Sequence, residues 1–116
     1  GGPGSAKHII HNSAENFAQV SLELGGKSPF IVFDDADLES AVNGSIAGIF
    51  GAAGQSCVAG SRLYLHDRIA DEFLDTMVSR AKQIQIGDPL LEETQMGPLA
   101  TTGQLARIEK EVAFAQ

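Results

Sequence analysis

Two short apolar runs, each followed by a helix-length amphipathic segment, constrain this chain more than any other feature. Residues 30–33 (FIVF) are typical of a strand that is covered on both faces, and residues 62–66 predict a second short strand. Residues 38–53 and 68–85 place apolar side chains three and four positions apart, which predicts helices. Strands that alternate with helices predict βαβ crossovers, so the expected fold class is α/β with a parallel sheet.

The remaining segments predict one more strand and two more helices. Residues 20–24 alternate apolar and polar side chains with period two, which indicates a half-buried strand. A turn over residues 1–5 precedes a helix over about 6–16, with Phe17 continuing its apolar side, and a last helix begins near 101–102.

Asp37 and Asp67 stand just before the second and third predicted helices, where a carboxylate can cap the free N–H groups of the first turn. Gly54 is placed to end the second helix, because glycine readily adopts the left-handed conformation found after helices. These residues predict where the helices begin and end.

Composition limits the classes of function. The 116 residues are 43% hydrophobic, which suffices for the core of one modest domain. Fifteen acidic against eight basic residues give a net charge of −7 without any basic run, so no nucleic-acid partner is expected. No apolar stretch approaches the roughly 20 residues of a bilayer span, so no membrane partner is expected either. One cysteine fits a reducing compartment, with the cytoplasm as the default location.

Cys57 and Glu23 are the candidate nucleophile and general base. Cys57 lies in the glycine-rich run 54–62 (GQSCVAGSR), where a thiol is exposed and its own backbone N–H is free to stabilise negative charge. Glu23 lies 34 residues upstream, before two glycines whose flexible backbone lets a carboxylate reach a pocket. Taken separately, such a cysteine is usually a small buried hydrophobic residue and such a glutamate a solvated one.

Five local sequences, in the same order along the chain, resemble the aldehyde dehydrogenase superfamily. They are 22–29 (LELGGKSP), 33–38 (FDDADL), 54–62 (GQSCVAGSR), 86–90 (IGDPL) and 96–99 (MGPL). Together with the separation of Glu23 and Cys57, they extend the resemblance over almost the whole chain, and the last predicted helix is compatible with it.

The resemblance implies oxidation of a small-molecule aldehyde to a carboxylic acid, with NAD as the expected cofactor and NADP as the alternative. Cys57 would be the nucleophile that forms a thiohemiacetal and then a thioester, and Glu23 would activate the water that hydrolyses this thioester. The parent protein is expected to be a homodimer or homotetramer.

The resemblance also assigns cofactor contacts. Leu24 and Gly25 would lie beside the nicotinamide, where a side chain at the glycine would block its approach. Gly1 and Gly2 would belong to the turn that opens a helix beside the cofactor's phosphates. Two positions depart from the family pattern, because Ala6 stands where a second glycine is common and Gly2 where a serine or threonine is usual.

Three other side chains have simpler interpretations. His8 and His11 lie three apart on a predicted helix with no third ligand, so they are assigned to the helix surface and no metal site is expected. Arg62 is placed to brace the Cys57 loop through its planar set of donors.

By the resemblance, residues 1–25 end a Rossmann-like NAD(P)-binding domain and residues 26–116 begin the catalytic domain. The chain is then a central fragment, and on its own it is expected to be inactive. Two alternatives remain: an acylating relative that releases acyl-CoA, and a non-catalytic structural or binding homologue. Glu23 argues against the first, since hydrolysis requires that base, and retention of both Cys57 and Glu23 argues against the second.

Overall fold

The computed structural model describes all 116 residues as a two-stranded parallel sheet with four α-helices. The helices are α1 (Pro3–Ser13), α2 (Leu38–Phe50), α3 (Ala70–Ala81) and α4 (Thr102–Ala115), and the strands are β1 (Pro29–Val32) and β2 (Arg62–Leu65). The strands pair in register from Pro29 opposite Arg62 to Val32 opposite Leu65, with α2 in the crossover between them. The predicted α/β class with a parallel sheet is confirmed. No helix is long and apolar enough to cross a membrane.

The core lies between one face of the sheet and the helices α2 and α3. Val32, Val42 and Phe73 are buried at its centre. The side chains packed around them are Phe30, Leu38, Ala41, Ile46, Leu63, Leu65, Ile69 and Met77. The apolar stripes predicted from spacing therefore face this core, as burial of apolar surface requires.

The prediction that β1 is covered on both faces is wrong for this structure. Phe30 and Val32 point to the core, whereas Ile31 is 60% exposed and Phe33 is 64% exposed. Both α2 and α3 pack on the same side of the sheet, so the opposite side carries large apolar side chains in contact with solvent.

The predicted strand over residues 20–24 is absent. A strand requires a neighbouring strand for its backbone hydrogen bonds, and the sheet consists only of β1 and β2. The alternation still describes burial, because Leu22 and Leu24 are half-buried while Glu23 is exposed.

The first helix begins earlier than the sequence pattern indicates. Gly2 is the N-cap of α1 and Pro3 occupies its first position, where the missing N–H of proline removes no helical hydrogen bond. The turn expected over residues 1–5 is therefore largely helix. Phe17 lies beyond the helix end, at a φ of 57° and 93% exposed, so it does not continue the apolar side of α1.

The caps of the other helices are partly as predicted. Asp37 caps α2, and its carboxylate accepts a hydrogen bond from the Ser40 N–H at 2.8 Å. Asp67 is not the cap before α3: it lies inside a 3₁₀ turn over Asp67–Ile69, and His66 Nδ1 accepts the capping bond from the Arg68 N–H at 3.2 Å. The capping residue is therefore His66 rather than the predicted Asp67, because the 3₁₀ turn lies between the loop and α3.

Candidate functional site

The two segments that carry the candidate catalytic residues enter the sheet side by side. Residues 22–28, here called the carboxylate segment, lead into β1, and residues 55–61, here called the thiol loop, lead into β2. Because β1 and β2 are parallel and in register, the chain entering each strand does so at the same edge of the sheet. The topology thus brings Glu23 and Cys57 to one end of the fold.

Direct contacts join these two segments. Gly26 lies so close to the Cys57 carbonyl oxygen that a methyl group at position 26 would overlap it. The Arg62 Nε donates a hydrogen bond to the Lys27 carbonyl at 2.8 Å, and the Arg62 N–H donates to the Ser28 carbonyl at 3.3 Å. Three successive residues of the carboxylate segment, 26–28, are therefore held against Cys57 of the thiol loop and Arg62 of β2. The Arg62 side chain links the two segments rather than bracing the thiol loop internally.

The thiol loop is preceded by a left-handed turn. The helix α2 ends at Phe50, earlier than predicted, and Ala52, Ala53 and Gly54 follow with φ values of 51°, 53° and 73°. Left-handed backbone costs a non-glycine residue about 1–2 kcal/mol, so the surrounding contacts must impose it. This turn separates α2 from the thiol loop.

Cys57 occupies the tip of a turn that is anchored on both sides. The Ala59 N–H donates to the Ser56 carbonyl at 3.2 Å, and the Val58 N–H donates to Ser56 Oγ at 3.4 Å. Ala59 is buried, whereas Val58 is 74% exposed. The loop therefore has one side packed in the protein and the other facing solvent.

The Cys57 thiol is free and exposed, which rules out the interpretation of this residue as a small buried hydrophobic side chain in this structure. Its backbone N–H donates to no acceptor in the protein. A free backbone donor at the nucleophile is what an oxyanion hole requires, because it can bind the negative oxygen of an adduct on the sulfur.

Glu23 is exposed, and its backbone connects the carboxylate segment to α1. The Glu23 carbonyl accepts a hydrogen bond from the Gly1 amino group at 2.8 Å. The residues assigned to catalysis and to the cofactor therefore converge: Gly1 and Gly2 at the start of α1 lie beside the segment that carries Glu23, Leu24 and Gly25.

The start of α1 is suited to a bound phosphate. It has no side-chain cap and no acidic residue in its first turn, and the N–H groups of Gly4 and Ser5 donate to no protein acceptor. Free N–H groups at a helix N-terminus favour anions. No protein atom lies within 4 Å of the Cβ position of Gly1 or Gly2, whereas Ala6 is buried.

A groove of about 500 Å³ lies next to the thiol loop and was not predicted. Its walls are Ala52, Ala53, Gln55, Pro89 and residues 95–100. Neither Cys57 nor Glu23 lines it. The motif 96–99 therefore lies beside the left-handed turn that precedes the thiol. In the sequence, the only indication that this motif belongs near the site was its membership in the set of family-like motifs.

Other charged groups do not converge on a site. The structure contains no group of three or more His, Cys, Asp or Glu side chains that could hold a metal ion, and His8 and His11 are exposed on α1.

The sequence did not predict the contact of Gly26 with the Cys57 carbonyl. The only signal for it was the position of Gly26 as the second glycine of a pair.

These features define an α/β protein with an exposed candidate cysteine nucleophile, a segment bearing an exposed carboxylate packed against the thiol loop, and a helix terminus suited to phosphate. A model of the aldehyde dehydrogenase family matches residues 1–116. The chain therefore belongs to the aldehyde dehydrogenase family, as its motifs predicted.

Similar proteins support this assignment at the level of sequence and of structure. The chain is 57% identical over 112 residues to (Z)-2-((N-methylformamido)methylene)-5-hydroxybutyrolactone dehydrogenase of Acinetobacter baylyi, covering 97% of this chain and 23% of that protein. It is 46% identical over 110 residues to betaine aldehyde dehydrogenase of Brucella anthropi, covering 91% of this chain and 23% of the relative. The chain thus spans about a quarter of the length of these relatives.

Solved structures give the same result. PnpE from Pseudomonas sp. WBC-3 matches with a TM-score of 0.92 at 44% identity, over 98% of this chain and 23% of that chain. An NAD+ complex of aldehyde dehydrogenase from Bacillus cereus matches with a TM-score of 0.89 at 41% identity, over 97% and 23% of the two chains. The backbone arrangement of the two segments is therefore that of the family.

Proposed function

We propose that this chain carries the nucleophile and the general base of an NAD-dependent aldehyde dehydrogenase that oxidises an aldehyde to a carboxylic acid. The observation that carries the proposal is the packing of Gly26 on the Cys57 carbonyl, which places the segment of Glu23 against the thiol loop. Membership of the family and the NAD+ complex of the Bacillus cereus relative support the reaction and the cofactor.

In the first step, the Cys57 thiolate attacks the aldehyde carbon, and the new C–S bond leaves an oxyanion. The free Cys57 N–H donates to that oxygen and lowers the energy of the charged adduct. NAD+, which Gly1, Gly2, Leu24 and Gly25 would hold, would supply the acceptor for the hydride that leaves the adduct carbon, and loss of that hydride leaves a thioester on Cys57.

In the second step, Glu23 acts as general base. Its carboxylate takes a proton from a water molecule whose oxygen attacks the thioester carbon, and cleavage of the C–S bond releases the carboxylic acid and restores the thiolate. The exposed position of Glu23 on the carboxylate segment gives water access to it.

Four residues would hold the cofactor. Gly1 and Gly2 open the helix whose free N–H groups suit the phosphates, and Leu24 and Gly25 would form the wall beside the nicotinamide. The absence of protein atoms around the Cβ position of Gly25 leaves that approach open. On this proposal the boundary between the cofactor domain (1–25) and the catalytic domain (26–116) falls in the carboxylate segment, between α1 and β1.

A burst assay on the full-length enzyme containing this chain tests the proposal. Reduced nicotinamide is followed after addition of aldehyde to wild type, Glu23→Gln and Cys57→Ser. We expect wild type to turn over, the Gln variant to release about one hydride per site and then stall, and the Ser variant to give no burst.

Other outcomes separate the alternatives. Normal turnover by Glu23→Gln, or product release that depends on added coenzyme A, contradicts the hydrolytic role of Glu23 and favours the acylating reaction. Absence of any aldehyde-dependent formation of reduced nicotinamide in wild type favours a non-catalytic homologue.

A further inference from the structure

The contact between the carboxylate segment and the thiol loop is made by residues to which no chemical role is assigned. Gly26 lies against the Cys57 carbonyl, and Arg62 is bonded to the Lys27 carbonyl. We propose that Gly26 and Arg62 are positioning residues that set the distance between Glu23 and Cys57, and that hydrolysis of the thioester depends on them. This inference rests on the proposed function, since it concerns the placement of the base in that reaction.

Gly26 acts through the absence of a side chain. The atom that a Cβ at position 26 would overlap is the backbone oxygen of Cys57, not the end of a flexible side chain. Rotation about a side-chain bond cannot relieve such an overlap, so any larger residue must move one backbone away from the other. Glu23 is three residues upstream, on the same short segment, and would move with it.

Arg62 acts through its side chain. Its backbone N–H makes the ordinary ladder bond to the Ser28 carbonyl, which any residue could make, whereas its Nε donates to the Lys27 carbonyl and so joins the two segments one position beyond the ladder. The guanidinium also lies 5.9 Å from the centre of the Tyr64 ring, which limits its orientation.

The two chemical steps should respond differently to loss of this link. Formation of the thioester requires the thiol and the cofactor, whereas its hydrolysis requires Glu23 to be within reach of a water and the thioester. A misplacement of about 1 Å can slow a step by about 100-fold. We therefore expect Gly26→Ala and Arg62→Met to lower the steady-state rate by about 10- to 100-fold while the burst stays near one hydride per site.

The experiment uses stopped-flow detection of reduced nicotinamide with the full-length enzyme. Gly26→Ala and Arg62→Met are measured alone and combined with Glu23→Gln, and Arg62→Lys tests partial rescue by a cation that keeps a donor. Gly103→Ala is the matched glycine control, because no atom lies near its Cβ position. Arg80→Met is the matched arginine control, because Arg80 bonds to Asn43 and Glu39 away from the thiol loop.

If the two residues act through Glu23, each double variant should be no slower than Glu23→Gln alone. Equal losses of burst amplitude and of both rates, or effects that multiply with Glu23→Gln, would overturn the positioning role and leave the proposed function intact. A wild type that forms no reduced nicotinamide with aldehyde, or hydride release that survives in Cys57→Ser, would overturn both.

Discussion

Asp37 shows how a single residue stabilises the crossover that joins the two halves of the site. Hydrogen bonds from the Ser40 side chain first and the Ser40 backbone second lower the pKa of the Asp37 carboxyl below its ordinary value. The folded-state pKa is thus below the unfolded one, near 3.9. The stabilising contribution of the charged cap is therefore present at neutral pH and is lost as the pH falls below about 4 towards the folded-state pKa.

Replacement of Asp37 by Asn tests this dependence. The amide oxygen still caps α2 but cannot be protonated in this range, so the loss of stability between pH 5 and pH 3 should be smaller than in wild type. The measurement is the thermal midpoint of the full-length enzyme by circular dichroism at each pH. Asp35→Asn, at a residue that caps no helix, is the control, and an equal acid response in Asp37→Asn and wild type would contradict the prediction.

Some features of this site could be predicted from residue types and others could not. Cys57 and Glu23 stand in recognisable motifs, and their chemistry is intrinsic to their side chains. The left-handed backbone of Ala52 and Ala53 has no such signal, because alanine seldom adopts this conformation. The role of Gly26 depends on which residue faces Cys57, and that is decided by strand register rather than by any local pattern.

Among the elements, the packing of α2 and α3 on one face of the sheet forms the hydrophobic core. Phe73 is fully buried between them, whereas its neighbour Leu74 is 46% exposed. Arg80 of α3 adds an ion pair to Glu39 of α2 at 3.2 Å, which contributes less than about 1 kcal/mol at such an exposed position. Apolar burial therefore outweighs the ion pair.

Truncation of Phe73 should separate these contributions. We expect Phe73→Ala to lower the free energy of unfolding by about 3–5 kcal/mol, because it removes buried apolar contacts and leaves a cavity. Leu74→Ala on the same helix should lower it by less than about 1 kcal/mol. Urea unfolding of both full-length variants measures the difference, and similar losses would contradict the placement of the core.

The helices α2 and α3 and the strands β1 and β2 were predictable from local patterns, whereas the alternation at residues 20–24 predicted a strand that is absent. The spacing that identifies α2 and α3 is local, since residues three and four apart share one helix face. A strand is defined by its partner, and the alternation at residues 20–24 carries no information about whether a partner exists. The apolar run of β1 likewise predicts burial but not which face a helix covers.

The molecule as a whole has a larger accessible surface and a larger radius of gyration than a compact domain of the same length. Its accessible surface is 9044 Å², against about 6,100 Å² for a compact protein of this mass. Its radius of gyration is 17.9 Å, against about 13 Å for a compact domain of this length. Only six residues are buried. The 116 residues therefore expose apolar surface that a stable domain covers.

The isolated 116-residue polypeptide should consequently be weakly stable and inactive. We expect it to bind the dye ANS, to be cleaved rapidly by trypsin, and to give no aldehyde-dependent hydride release. The full-length enzyme, treated identically, is the control. A cooperative thermal transition without dye binding, or measurable turnover by the isolated chain, would show that these residues suffice.

Because β1 and β2 pair at their first residues, the number of residues between each catalytic candidate and its strand fixes the geometry of the site. Glu23 lies six residues before Pro29, Cys57 lies five residues before Arg62, and these two strand residues are register partners. Residues inserted in the crossover, for example at the turn over 33–36, lengthen the interval between thiol and carboxylate without changing either offset. One residue inserted between Gly26 and Pro29 displaces the carboxylate segment by about 3.3 Å. Length variation among relatives should therefore gather in the crossover, while the two short offsets stay constant.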